Sequence, residues 1–97
     1  MKINKDDNKY IYVIAGKNIK RIRKEHNLTQ VKLADMIGYN EGTISNIENS
    51  SYQTFSLEFL YVISKTLDIP MDEFFRDIDK WWIWNSSIRA SFLCYNY

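Results

Sequence analysis

Residues 29–49 hold two short amphipathic segments separated by a glycine, and this arrangement restricts the fold more than any other feature. The apolar side chains of the first segment recur at helical spacing: Val31, Leu33, Ala34 and Ile37. Thr29 precedes it as a good N-cap. Gly38 follows where a helix ends in the left-handed conformation. The pattern predicts a short helix and a tight turn.

The second segment is predicted to be a helix capped by Asn40 and running from Glu41 to about Asn49. Ile44 and Ile47 lie three residues apart and are expected to face inward. The other side repeats the same spacing with polar residues: Thr43, Asn46 and Asn49. This segment is therefore predicted to be apolar where it packs and polar outside.

The flanking sequence predicts three more helices and no internal repeat. Asp7 is a candidate cap for a first helix that begins near Lys9 and ends at Asn27. One face of this helix is predicted from residues at spacings of three and four: Ile11, Ala15, Ile19, Ile22 and His26. Ser56 caps a fourth helix, and a fifth starts at Pro70 or Met71 and runs through Phe75. The predicted fold class is all-α, a bundle of five helices.

Two short helices joined by a glycine turn, the second polar on its outer face, form a helix-turn-helix. The small Ala34 lets the second helix cross the first closely. A second helix held in this way is able to enter the major groove of DNA, which is about 12 Å wide. A plain helical bundle without DNA binding is the alternative for the same pattern.

Residues 14–75 resemble the Cro/Xre-type helix-turn-helix domain of phage and bacterial repressors. The resemblance rests on the order of three stretches: "KNIKRIRKEHNLTQ", "KLADMIGYNEGTISNIEN" and "SLEFLYVISKTLDIPMDEFF". It implies a compact five-helix, phage-repressor-like bundle that binds operator DNA as a two-fold symmetric dimer.

The resemblance also implies roles for individual residues. Base edges would be read by four residues of the second motif helix: Glu41, Gly42, Thr43 and Asn46. Backbone phosphates would be bound by Gln30 and by a segment that comprises Asn49, Ser50, Ser51 and Gln53. Lys17 and Lys20 are weaker candidates for phosphate contacts, because a lysine cluster also suits a solvated helix face. Arg23 and Glu48 would form a structural ion pair.

Glu41 has two interpretations, since an acid at the reading end of a helix faces a polyanion. It stabilises the positive end of the helix dipole by ~0.3–1 kcal/mol, which needs no DNA. It also accepts a hydrogen bond from cytosine N4, whereas guanine O6 and N7 would repel it. The two interpretations are compatible.

Composition bounds the remaining possibilities. The 97 residues suffice for one small domain, predicted as a flexible N-terminus at 1–9, a helix-turn-helix domain at 10–75 and an aromatic extension at 76–97. Residues 1–49 hold nine basic and six acidic side chains, whereas residues 50–97 hold four and six, so the basic excess accompanies the motif. The lone Cys94 favours a reducing compartment, and a cytoplasmic location is expected. No residue pattern indicates a metal site, a cofactor site or an enzyme.

The extension has an unusual aromatic composition. "WWIW" is followed by the turn signal "NSS" and by alternating apolar residues, which suits a β-hairpin, although an irregular helix also fits. Phe59 and Val62 are apolar at positions that are exposed and polar in the resembling family. A dimerisation surface is therefore predicted from Phe59, Val62, Trp81, Trp82, Trp84, Ile88 and Phe92. The alternative is that the extension folds back over its own fourth helix. A third possibility is that it lies on a membrane surface, but the extension lacks the basic polar face that this would need.

These features predict a sequence-specific DNA-binding transcriptional regulator, a repressor that binds a palindromic operator in double-stranded DNA as a homodimer. The alternative is an antitoxin-type protein-binding module, whose extension would bind a toxin while the motif represses its own operon.

Overall fold

The computed structural model describes residues 5–49 and 53–77, which form four α-helices and one 3₁₀ helix, with no strand among them. The α-helices are α1 (Lys5–Glu25), α2 (Gln30–Ile37), α3 (Glu41–Glu48) and α4 (Leu57–Leu67). The 3₁₀ helix spans Met71–Phe75, where the sequence predicted a fifth helix. The all-helical class is confirmed, and the fifth helix is a 3₁₀ turn. The predicted β-hairpin lies outside the described residues.

Helix boundaries follow the local signals in all but one case. Thr29, Asn40 and Ser56 accept hydrogen bonds from the backbone N–H three residues on, so each caps its helix as predicted. Gly38 ends α2 at φ 79°. The exception is the start of α1, which lies at Lys5 rather than near Lys9, so the expectation that Asp7 caps this helix is wrong.

α1 ends at Glu25, two residues before the predicted Asn27. Asn27 lies in the turn that follows, with φ 58° in the left-handed region that asparagine tolerates. His26 lies in the turn after the helix, and its ring Nδ1 is 2.9 Å from the carbonyl oxygen of Ile22. The same carbonyl also accepts a hydrogen bond from the backbone N–H of His26 at 3.1 Å, so the ring adds a second contact at the helix end.

One apolar core joins all five helices. Its buried members are Ile19, Ile22, Leu33, Ala34, Ile37, Ile44, Ile47, Phe59, Leu60, Ile63 and Phe74. On α1 the predicted face is correct at Ala15, Ile19 and Ile22, but Ile11 is 45% exposed and His26 is exposed in the turn after the helix. None of the described helices is both long enough and apolar enough to cross a membrane.

Phe59 belongs to this core and is 1% exposed. Its ring meets Tyr39 edge-on at a centroid distance of 4.9 Å and packs against Phe55 at 5.4 Å. Its place in the proposed dimerisation surface is therefore wrong, because the turn after α2 and the segment before α4 already cover the ring. Val62 is half-buried and packs against the core.

A polar clamp holds the 3₁₀ helix against α1. The side-chain amide of the buried Asn18 donates to the backbone oxygens of Phe74 at 2.9 Å and Arg76 at 2.8 Å. Arg21 donates to the backbone oxygen of Glu73 at 3.1 Å. These bonds satisfy carbonyls that a short 3₁₀ helix leaves unpaired.

Candidate nucleic-acid interface

The inner side of α3 is fixed by two isoleucines, as the sequence predicted. Ile44 is 0% exposed and Ile47 is 3% exposed, and both belong to the core. On the outer side Asn46 and Asn49 are exposed and Thr43 is half-buried. The buried and exposed positions of α3 therefore lie on opposite sides of the helix, with an apolar side in the core and a polar side outside.

The beginning of α3 is organised by Asn40. Its side-chain Oδ1 accepts from the backbone N–H of Thr43 at 2.7 Å and from the Thr43 hydroxyl at 2.9 Å. The sequence identified Asn40 only as a cap, and the second bond has no sequence signal beyond a hydroxyl three residues on. Glu41 and Gly42 are exposed in the same first turn. Four residues predicted to read bases thus lie on one short helix.

Asn49 closes the other end of α3. Its side-chain amide donates to the hydroxyl of Ser45 at 3.1 Å, and its backbone N–H donates to the Ser45 carbonyl at 3.0 Å. Gln53 is half-buried where the described chain resumes. Ser50 and Ser51, also predicted to lie along phosphates, fall outside the described residues.

A buried ion pair ties α1 to the end of α3. Arg23 Nε donates to Glu48 Oε2 at 2.8 Å and Arg23 Nη2 donates to Glu48 Oε1 at 3.0 Å, which is the two-pronged geometry of strong guanidinium–carboxylate pairs. The Glu48 side chain is 0% exposed. Arg23 Nη1 also donates to the Leu28 carbonyl at 2.7 Å. The predicted pair is present, and it also holds the turn between α1 and α2.

Gln30 joins this network, which sequence reasoning did not anticipate. Its side-chain Nε2 donates to Glu48 Oε1 at 3.1 Å. An amide nitrogen carries two protons, so one bond to Glu48 leaves a second proton for another acceptor. The first residue of α2 is therefore oriented by the last residue of α3.

Gly16 explains how closely α1 and α3 approach. A Cβ atom placed at Gly16 would overlap the backbone carbonyl oxygen of Ile47. Gly16, Lys20 and Arg23 share one face of α1, since they are separated by four and three residues. Gly16 and Arg23 both contact α3, which places Lys20 between two points of contact with that helix.

The two candidate lysines differ in their surroundings. Lys20 is half-buried on the side of α1 that faces α3, whereas Lys17 is exposed and lines an open cavity of about 420 Å³ with Tyr10, Ile14, Asn18, Arg76 and Asp77. Within the described ranges neither lysine takes part in an ion pair. Lys20 therefore has the better position for a contact beside α3.

The rest of the predicted site cannot be placed from the described residues. Trp81, Trp82, Trp84, Ile88 and Phe92, predicted for dimerisation, all lie beyond residue 77. In the part of the chain that is described, no three His, Cys, Asp or Glu side chains lie close enough together to hold a metal ion.

The geometry is that of a helix-turn-helix unit, in which α2 and its glycine turn support an α3 that is polar outside. The family model described as "Helix-turn-helix" matches residues 19–74, more than half of the chain. The chain belongs to this Cro/C1-type helix-turn-helix family of DNA-binding regulatory domains.

A curated relative also matches more than half of the chain. The chain is 35% identical over 56 residues to the antitoxin PezA of Streptococcus pneumoniae serotype 4. The match takes in 58% of this chain and 35% of the relative, so it spans about a third of that protein's length.

Proposed function

We propose that the chain is a transcriptional repressor that inserts α3 into the major groove of a palindromic operator and binds it as a homodimer. The observation that carries this proposal is the construction of α3. Two buried isoleucines and the buried Glu48 fix one side, while Asn46 and the first turn stay exposed. A helix anchored in this way presents its polar side chains without first having to become ordered.

The residues of α3 proposed to read bases suit particular features of the base edges. Asn46 matches the N6 and N7 edge of adenine, and Glu41 matches cytosine N4. Thr43 already donates its hydroxyl proton to Asn40. Its methyl group therefore remains for contact with a thymine methyl, and its oxygen remains as an acceptor. Gly42 adds no side chain, which lets the backbone of the first turn approach DNA closely.

Phosphate contacts would orient the helix. Gln30 and Asn49 lie at the start of α2 and the end of α3, and Lys20 lies beside α3. The proposed phosphate-binding residues also include Lys17, Ser50, Ser51 and Gln53. Phosphate contacts set position and register, whereas base contacts set sequence preference.

Selection of bound sequences from a random DNA pool tests the function directly. The expected result is an enriched palindrome with two half-sites about one helical turn apart, 10–10.5 base pairs. Absence of any enriched sequence would refute the repressor proposal.

The variant Asn46→Ala tests the reading face on the selected operator. Loss of one bidentate base contact costs about 1–3 kcal/mol per half-site, so operator affinity is expected to fall while the fold is unchanged. Titration by gel shift at one fixed salt concentration measures the effect. Thr66→Ala, an exposed change on α4, is the matched control and is expected to bind like the parent; equal affinity of both variants would contradict the assignment.

A second candidate function is supported by the relative named as an antitoxin. In that case the extension after residue 77 would bind a toxin, and the helix-turn-helix would repress the shared operon. Co-expression with the product of an adjacent gene distinguishes the two functions. A stable complex that relieves growth inhibition supports the antitoxin, whereas a chain that purifies alone and binds its operator supports a simple repressor.

A further inference from the structure

An apolar groove runs between the first half of α1, the segment that leads into α4, and the end of the 3₁₀ helix. It has a volume of about 130 Å³ and is lined by Ile11, Ala15, Phe55, Leu57, Leu60 and Phe75. Two of the lining side chains are large, apolar and exposed to solvent: Leu57 is 70% exposed and Ile11 is 45% exposed. Neither residue contributes to the DNA-reading face, so that function does not explain their exposure.

The size of the groove is close to that of one six-membered aromatic ring, so a larger ring system such as indole would be enclosed only in part. An apolar cavity of about 150 Å³ is known to accept benzene, and the groove is only slightly smaller and open on one side. A ring over Leu57 and Ile11 would remove their exposed apolar surface from water, which favours binding. The groove therefore favours a flat apolar occupant.

The chain itself supplies such an occupant within reach. All three tryptophans of the protein, Trp81, Trp82 and Trp84, follow the described region closely. The four residue-to-residue steps from Asp77 to Trp81 span up to about 14 Å when extended. Phe75, two residues before Asp77, lines the groove. A segment tethered at this distance has an effective concentration in the millimolar range, well above the concentration of a second copy in dilute solution.

We propose that this groove binds an indole ring from residues 81–84 of the same chain. The open cavity beside Lys17 is a poorer site for an indole, because Arg76 and Asp77 also line it and bring both signs of charge. Occupation of the groove by one indole leaves Ile88 and Phe92 available to a second copy. The proposal does not depend on DNA binding.

Tryptophan fluorescence tests the proposal in the full chain, since every tryptophan lies in the segment concerned. With excitation that selects tryptophan, emission of the parent is expected at shorter wavelength than emission of the chain in urea. Leu57→Arg and Ile11→Arg place charge in the groove at exposed positions and are expected to shift emission towards the urea value and to increase quenching by acrylamide. Val31→Arg is the control, because Val31 is 49% exposed on α2 and does not line the groove.

Far-UV circular dichroism confirms that each variant is folded, and a dilution series separates the possible occupants. If the wavelength of tryptophan emission stays constant when the protein is diluted below the dissociation constant of the dimer, the indole docks within one chain. Emission that moves to the urea value together with the loss of dimer mass would assign the indole to a second copy and overturn the proposal. Unchanged emission in both groove variants, or an equal shift in Val31→Arg, would also overturn it.

Discussion

At the scale of single residues, Gly16 sets the distance between α1 and the helix proposed to read DNA. The backbone oxygen of Ile47 occupies the space that any side chain at this position would need. Sequence reasoning did not identify Gly16, because a glycine within a helical pattern has no partner that the sequence reveals. The close approach of α1 to α3 depends on a contact between residues 16 and 47, which are far apart in the sequence.

Replacing Gly16 by alanine is expected to destabilise the fold by about 1–3 kcal/mol, because the two helices must move apart. Helix propensity alone would give the opposite sign, since alanine is favoured over glycine by about 0.8–1 kcal/mol. Urea unfolding measures the difference. Gly38→Ala is a useful comparison, because that site has φ 79° and open space around it, so its cost of about 1–2 kcal/mol comes from the backbone alone. A Gly16→Ala protein as stable as the parent would show that the contact is not tight.

Glu48 accepts from both Arg23 and Gln30 and is buried. Glu48→Leu leaves the Arg23 guanidinium without its partner, and the expected loss is about 3–5 kcal/mol in the free energy of unfolding. Combining it with Arg23→Met removes both charges, and this double variant is expected to recover much of the loss. Denaturant unfolding measures all three proteins.

The exposed pair between Arg21 and Glu25 provides the control for that experiment. Its nitrogen–oxygen distance is 3.0 Å, but the Glu25 side chain is 56% exposed. Glu25→Gln is therefore expected to change stability by no more than about 1 kcal/mol. If the double variant of Glu48→Leu and Arg23→Met is less stable than Glu48→Leu alone, then the unpaired charge of Arg23 is not the reason that Glu48→Leu destabilises the protein.

At the scale of helices, the sequence was sufficient where the signal is local. The caps at Thr29, Asn40 and Ser56 and the glycine after α2 depend on residues within one turn, and each is present. Phe59 was wrongly assigned to the dimerisation surface, because the groups that cover its ring, Tyr39 and the segment before α4, are distant in sequence or irregular. The candidate site followed the same rule: the burial of Ile44 and Ile47 and the polar outer side of α3 were predictable from spacing, whereas the bond from Gln30 to Glu48 was not.

The position of α1 beside α3 predicts a specific electrostatic contribution from Lys20. If Lys20 binds a phosphate, Lys20→Ala is expected to lower the slope of log affinity against log salt by about 0.9 per half-site, or about 2 for a dimer on a palindrome. Binding titrations at several salt concentrations measure the slope. Lys65 on α4, whose Nζ lies 5.8 Å from the centre of the Tyr61 ring, is the charge-matched control, and Lys65→Ala is expected to leave the slope unchanged. A slope that is the same for Lys20→Ala and the parent would exclude the contact.

At the scale of the whole molecule, the sign of charge changes along the chain. The first 49 residues carry a net charge of +3 and the remaining 48 a net charge of −2. With so few basic groups, a single copy gains only modest attraction to DNA. Two linked half-sites raise the affinity by about 10²–10⁴ without new contacts. Tight binding is therefore expected to depend on the proposed dimer.

The proposed dimer predicts that Ile88 and Phe92 act differently from the tryptophans before them. In the full chain, Ile88→Ser combined with Phe92→Ser is expected to halve the mass in solution and to reduce affinity for a full palindrome by about 10²–10⁴. Affinity for an isolated half-site is expected to stay the same, because α3 and its anchors are untouched. Light scattering and gel shift measure the two quantities.

The wavelength of tryptophan emission is also expected to stay the same in this double variant, since docking of an indole within one chain does not need the second copy. A double variant that remains dimeric would place the dimer contact elsewhere. If the variant is monomeric and its tryptophan emission shifts towards the urea value, both the dimer contact and the docking of the indole depend on the second copy.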